Sequence, residues 1–484
     1  MPRAKKPMSP IDQLRARVAE WLDGLDPETP IGATVYFMVD SRHEQTFVRH
    51  GRALTEATRK LPGLDWFSFD KHAPMPGETW HEPAYGIMEH WQTVRDFKPQ
   101  WSSEHLARFQ HAIGPWVVDA PDLMFFYGAG EGGRQVRVLP TGQAKCWDSE
   151  GKVVTCKGSG QDGAFEPGDK PPKPRFTDHG NGTVTDELTG VVWLRDADAF
   201  GEVPWMEALA TAGRVGDGQA GLSDGSRPGD WRLPNVNELE SLLDLSNDSG
   251  PALPAGHPFE NLEAANYWSS SSVAAFPALA WYVAMAVGPP VFDLKFNPMR
   301  MWPVRGTSHR VPQTGQTQCW DPMGQPIPAE GSGQDGEVRA GVPWPRPRFV
   351  DNGDGTVTDR LTGLSWLRDG NAFGTLSWDD ALAACNALES GRHGLSDGSE
   401  PGDWRLPDVN ELRSLEDYGQ ARPALPEDHL FVNVRQSLCW SSTTVASAPN
   451  LARFLFVGIG SCVWDHKGVV MGVWPVKGGL EPPG

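Results

Sequence analysis

The chain has 484 residues, a formal net charge of -19, 39% hydrophobic residues, 54 Gly and 43 Pro. That length exceeds one ordinary core and implies two or three domains, and the glycine and proline content predicts many turns and little long helix. The acidic balance, with no basic run longer than Arg3, Lys5 and Lys6, speaks against nucleic acid and anionic membrane as partners, since both need clustered cations.

The first stretch, MPRAKKPMSPIDQLRARVAEWL, is charged and amphipathic and lacks the apolar run of an export signal. The most apolar segment, Phe454 to Trp464, is too short to span a bilayer. A cytoplasmic protein is therefore expected. TVYFMVD from Thr34 predicts a buried strand, HEQTFVRHGRALTEATRK a helix, LDWFSF a strand, YGIMEHWQTVRD and SSEHLARFQHAI two helices, and DLMFFYG a last strand. Residues 1–140 thus read as an α/β or α+β domain, and no family is recognised in it. Its metal candidates are His81, Glu82, Glu89 and His90. A zinc helix sets two His four apart, whereas these stand nine apart with Pro83 between them, so no metal is expected.

From Cys146 onward the chain repeats itself. Forty-five of the 71 positions from Pro174 to Asp244 are identical to those from Pro347 to Asp417; one residue is then lost, so that Trp268 meets Trp440 and Trp302 meets Trp474. Repeats this long each own a core, unlike solenoid units, and the domains are set at 143–307 and 316–479. PRFTDHGNGTVTDELTGVVWL predicts a small antiparallel meander. WMEALATA and WDDALAACNAL predict amphipathic helices. LPNVNELESLLD has Asn235 and Glu238 at capping-box spacing, which Asp408 and Glu411 repeat. YWSSSS and CWSSTT lead into alternating runs that end at WPVRG and WPVKG. Each unit therefore reads as a compact α+β domain, and Asp230, Arg232, Asp403 and Arg405 of the repeated GDWRLP are expected to hold loops. In DNGDGTVTD, Gly353 and Gly355 occupy places where an EF-hand needs oxygen ligands, so a glycine-rich hairpin is favoured over calcium. Of the six cysteines only Cys146 and Cys319 correspond between the copies, and free thiols in a reducing compartment are expected.

The order F-x-D-x-G-x-G-T-V-T-D-x-L-T-G, W-R-L-P-x-V-N-E-L, W-S-S and W-P-V-[RK]-G resembles the domain named for the C-terminal part of the Lcl collagen-like adhesin, over about residues 143–307 and 316–479. The resemblance implies two tandem C-type-lectin-like domains, distantly similar to formylglycine-generating enzymes and to variable proteins of diversity-generating retroelements. Members are binding modules, some recognising glycans, and many are secreted; the charged start of this sequence is not expected to act as an export signal.

Where the copies differ is equally informative. From Phe276 to Met301 against Ala448 to Val473 only 8 of 26 positions are identical. Exchanges such as Trp281 for Arg453 do not suit one shared core, so an exposed ligand face is expected. It comprises Arg453, Phe454, Phe456, Trp464, Asp465 and His466 in the second domain and Trp281, Tyr282, Phe292, Asp293 and Phe296 in the first, with aromatics and arginine as anchors. In the resembled retroelement proteins diversity falls in the same segment. No nucleophile, base and orienting acid come together in the repeats, so catalysis by them is not expected and no cofactor is implied. The expected function is non-enzymatic recognition of a protein or other ligand, with residues 1–140 docking to another component, such as an operon partner. The alternatives are a bacterial conflict-system protein with an N-terminal effector, and a glycan-binding adhesin.

Overall fold

The computed structural model describes residues 31–58, 64–72, 83–91, 94–101, 103–113 and 122–127 of the N-terminal unit, with single positions at 18, 22 and 25. Of the remainder it describes residues 135–165, 171–286, 288, 290–434 and 438–479. Among the described residues no helix is long and apolar enough to cross a membrane.

The N-terminal unit contains β1 (Ile31–Met38), α1 (Glu44–Thr58), β2 (Leu64–His72), β3 (Ala84–Trp91), α2 (Val94–Trp101), α3 (Glu104–Ile113) and β4 (Asp122–Tyr127). The strands form one sheet in the order β2-β3-β1-β4 with every pair antiparallel, which makes the domain α+β. Its core joins Ile31, Ala33 and Phe37 of the sheet to Phe47 and Leu54 of α1 and to Phe97, Phe109 and Ile113. Gly51 is required in α1, because a side-chain carbon there would run into the Phe69 ring. The expected helix YGIMEHWQTVRD is instead a strand followed by α2. Tyr85, Ile87, Glu89 and Trp91 are all buried, a period of two that the helical reading overlooked. His81 and Glu82 lie outside the described residues. Glu89 is interior, with its pKa pushed up to about 7 by burial, and accepts from Gln100 Nε2 at 3.4 Å.

The second unit holds both repeats. Its first arm, residues 135–165, carries β5 (Cys146–Trp147), β6 (Val153–Val154) and α4 (Asp162–Phe165). The first body follows with β7 (Phe176–Asp178), β8 (Thr183–Asp186), β9 (Val192–Leu194), β10 (Glu202–Val203), α5 (Trp205–Ala212), α6 (Val236–Glu240), β11 (Asn266–Ser272), β12 (Leu279–Ala284), β13 (Pro290–Leu294), β14 (Met299–Arg300) and β15 (Val304–Arg305). A second arm has β16 (Cys319–Trp320), β17 (Pro326–Ile327) and α7 (Asp335–Val338). The second body repeats the first with β18 (Phe349–Asp351), β19 (Thr356–Asp359), β20 (Ser365–Leu367), β21 (Thr375–Leu376), α8 (Trp378–Asn386), α9 (Val409–Ser414), β22 (Leu438–Thr444), β23 (Leu451–Phe456), β24 (Ser461–His466), β25 (Met471–Gly472) and β26 (Val476–Lys477).

Each body has a four-stranded meander sheet, β15-β9-β8-β7 or β18-β19-β20-β26, and a five-stranded sheet, β10-β14-β11-β12-β13 or β21-β25-β22-β23-β24. The larger sheet is mixed: β11 runs parallel to β14, and β22 to β25. Trp302 and Trp474 anchor the two cores against Phe259 and Phe431, at 4.7 Å and 4.8 Å between ring centroids. The repeated WRLP and NEL motifs are two halves of one device. Arg232 donates to both Glu238 oxygens at 2.7 Å and 2.6 Å and to the Gly306 carbonyl, and Glu238 also closes the capping box on Asn235. Arg405, Glu411, Gly478 and Asp408 repeat it. Asp230 and Asp403 accept from the amides of Arg227 and Glu400 and so hold loops, as expected.

The arms cross over. The base of the first arm meets both bodies, with Leu245 N of its own body donating to Thr141 O, and its tip docks on the second body. There Thr443 Oγ1 donates to Asp162 at 2.7 Å, Lys467 Nζ to the carbonyls of Trp147 and Asp148 at 3.1 Å each, and Asn410 to Leu139 O. The second arm docks on the first body through the equivalent contacts: Ser271 to Asp335, Lys295 to Trp320 and Asp321, and Asn237 to Pro312 O. Each lysine lies over a tryptophan of its own body, Lys295 at 4.2 Å from the Trp205 ring and Lys467 at 3.9 Å from Trp378. The packing frame is thus offset from the repeat frame. The first body is completed by the arm that follows it, and the second by the arm at the start of the unit.

The expectation of free thiols is corrected: Cys146 and Cys156 form a disulfide across the first arm tip. The comparison of copies missed it because Ala329 stands opposite Cys156, which leaves Cys319 without a mate and buried. Closing this loop is worth about 3 kcal/mol on loop entropy. Reduction should therefore lower the thermal midpoint of the wild type but not that of Cys156→Ala, followed by circular dichroism with and without reductant.

Asp335 gives a second test. Burial raises its pKa to about 6, against the opposing hydrogen bonds from Ser271 and Thr314. The folded state therefore binds the proton more tightly than the unfolded chain, and this contribution to stability is complete below about pH 4 and lost as the pH rises through about 6. Asp335→Asn keeps an acceptor but does not titrate. In urea titrations the wild type should lose about 3 kcal/mol relative to the variant between pH 4 and 7; a pH-independent difference would contradict the assignment.

Candidate functional site

The divergent segments form two equivalent hairpins, β12–β13 and β23–β24, whose outer strands are the edges of the five-stranded sheets. The structure does not make them one exposed face. Trp281, Arg453 and Phe454 are interior, at 1%, 3% and 6% exposure, which corrects the reading of these three as accessible ligand contacts. Phe454 packs edge-on to Trp440, as the half-buried Tyr282 does to Trp268. Phe292, Asp293, Phe456, Trp464 and Asp465 are half-buried, and Phe296 and His466 are exposed. Asp293 and Asp465 are engaged locally, accepting from the amides of Leu294 and His466.

The buried divergence has a physical cause in the contact between the repeats. Trp281 packs between Phe292, at 5.3 Å, and Tyr418 of the second body, at 5.5 Å. Its counterpart Arg453 is wholly enclosed, near Cys462, Arg413 and Asp162. Glu240 and Arg413 hold equivalent positions and pair with each other. Residues near the relating axis meet their own counterparts, so identical charges there would repel; a glutamate in one copy and an arginine in the other turn repulsion into an ion pair.

Exposed large apolar side chains occur in both repeats, Val153 and Val470 among them, and four of them gather where the second arm meets the first body. Phe276, Leu294, Phe296 and Met323 are 44%, 47%, 55% and 70% exposed. They are gathered by three local contacts: Leu279 pairs with Leu294, Lys295 N donates to Ala278 O, and Gly324 of the second arm packs on Pro277 and Ala278. The equivalent positions around the second body are Ala448, His466, Gly468 and, on the first arm, Glu150; Val469 and Val470 are exposed at the following turn and Val153 and Val154 on the arm. At these four positions the large apolar side chains therefore stand on one side alone, although those four valines are also exposed on the other. Sequence comparison singled out Phe296 alone among the four. Phe276 and Leu294 lay inside the divergent stretch but were passed over for larger exchanges, and Met323 could not be found because its arm docks on the preceding body.

The glycine-rich turns satisfy themselves. Asp351 accepts from Gly353 N and Asp354 from Thr356 N and Oγ1, as Asp178 and Asn181 do in the first copy. Among the described residues no group of His, Cys, Asp and Glu could hold a metal ion.

Two interlocked α+β domains of this kind, built on paired WRLP–NEL devices, define a tandem-domain protein. The Lcl C-terminal domain model matches residues 182–305 and 355–477, and the chain belongs to that family. Among solved structures the chain is similar to a Nitrosomonas europaea protein described as an antibiotic biosynthesis monooxygenase, with 16% identity over 21% of this chain and 92% of that one and a TM-score of 0.19. It is also similar to a conserved protein from Methanosarcina mazei, with 13% identity over 20% and 92% of the two chains and a TM-score of 0.18, and to PA3566 from Pseudomonas aeruginosa, with 16% identity over 21% and 97% and a TM-score of 0.18. At these scores the likenesses carry no argument about function. No curated protein matches the chain.

The Glu240–Arg413 pair yields a direct test. Glu240→Arg alone sets two guanidinium groups against each other and should lower the unfolding free energy by about 3 kcal/mol or more. Adding Arg413→Glu should restore most of that loss in urea titrations; purely additive losses would contradict pairing across the axis.

Proposed function

We propose that the protein is a recognition protein whose repeats have a C-type-lectin-like fold and bind a protein ligand through the patch of Phe276, Leu294, Phe296 and Met323. The observation that carries this reading is the one-sided exposure of four large apolar side chains where the equivalent positions are Ala448, His466, Gly468 and Glu150. Large side chains grouped at the surface cost solubility and mark contact sites, and aromatic anchors dominate protein interfaces. The patch is also held rigid, since Lys295 ties the Met323 arm to the body; little order then has to be acquired on binding. Its composition favours a protein over a glycan ligand, because it presents apolar surface without a row of polar hydrogen-bonding groups. The Cys146–Cys156 disulfide favours an oxidising compartment over the reducing cytoplasm.

The test is affinity capture from lysate and culture medium with the wild type and with Phe276→Ser/Phe296→Ser, after circular dichroism has shown equal folding. The proposal expects one specific partner that the variant binds at least about 30-fold more weakly, the loss of about 2 kcal/mol typical of an anchor. Equal capture by both proteins overturns the assignment to the patch.

A further inference from the structure

A cleft opens between the repeats on the axis that relates them, and its walls come in equivalent pairs: Arg137 with Arg310, Glu240 with Arg413, Leu243 with Glu416. The last pair breaks the symmetry of the cleft. Where the first copy has an apolar leucine, the second places a carboxylate whose side chain is 1% exposed. The charge balance around it is incomplete. Arg413 is shared by two carboxylates, engaging Glu240 closely while its Nε stands 3.9 Å from Glu416 Oε2. The Tyr418 hydroxyl offers Glu416 some support, but neither carboxylate oxygen forms a hydrogen bond of good geometry. The other ionisable groups around Glu416 are Tyr418 and the Cys462 thiol, both held neutral by burial. A buried carboxylate in this setting requires either a proton or a further cation. At the mouth the charge is reversed, with Arg137 exposed and Arg310 half-buried.

We propose that this cleft binds a small zwitterion of the amino-acid class, its ammonium group directed inward to Glu416 and its carboxylate outward to the arginines of the mouth. The site is separate from the apolar patch, and the two readings fail independently. Burial pushes the Glu416 pKa up to about 7, so near neutral pH a bound ammonium displaces a proton.

The experiment is titration calorimetry of the full chain at pH 7 with glycine, L-lysine and L-arginine, each in two buffers of different ionisation enthalpy. Acetate serves as the anion-only control. Saturable binding of at least one amino acid, with proton release and no binding of acetate, is expected. Glu416→Gln, which removes an uncompensated charge, should bind at least tenfold more weakly and release no proton. Absence of saturable binding by all three amino acids overturns the proposal, as does equal affinity in the variant. Should the variant fold poorly, wild-type binding without proton release overturns it equally.

Discussion

A buried carboxylate must find donors, and in this protein each arm's carboxylate takes one from its own arm, Thr141 or Thr314, and a second from the opposite body. Asp162 enters the second body to accept from Thr443, and Asp335 enters the first to accept from Ser271. An undersatisfied carboxylate inside a domain is costly, so the second donor, supplied by the opposite body, helps to hold each arm tip in place. The lysine clasps act alongside, since Lys295 and Lys467 reach backbone carbonyls that only a docked arm supplies. The second body is closed by the first arm, so the start of the unit is stitched to its end.

This closure explains what duplication left alike and what it changed. The WRLP–NEL device is the same in both copies because Asn237 and Asn410, on the helices that it caps, receive the arm bases. Lys295 and Lys467 are retained inside a segment that is otherwise rewritten, because each has an arm to hold. Near the axis identity would be a fault: Glu240 opposite a second glutamate would repel. The exchanges of Glu240 for Arg413 and of Trp281 for Arg453 are therefore how two related halves fit each other. Away from the axis, Phe276, Leu294, Phe296 and Met323 have no such structural cause, and that is why they carry the functional reading.

Much of the scaffold was legible in the sequence. Both capping boxes form at Asn235 and Asp408, the meanders and the helices led by Trp205 and Trp378 stand where their patterns placed them, and both repeats belong to the family that their motifs resembled. What was not legible depends on partners distant in sequence. The strand Ala84–Trp91 has apolar residues that suit either period, and its two neighbours in the sheet decided it. Trp281 and Arg453 looked incompatible with a core because one shared environment was assumed, whereas each copy faces the other rather than itself. The disulfide was hidden by the same comparison, since only one arm has it.

The central claim is that each arm docks on the opposite body, and the most direct measurement is engineered cross-linking at the arm tips. A Cβ built at Gly151 lies 3.5 Å from that of Pro449 in the second body, within disulfide reach. In the full chain, Gly151→Cys/Pro449→Cys should form an intramolecular disulfide under mild oxidation, detected by peptide mapping, while Gly151→Cys/Pro277→Cys should not. Cross-linking of position 151 to position 277 in place of 449 would put the first arm on its own body and contradict the exchange.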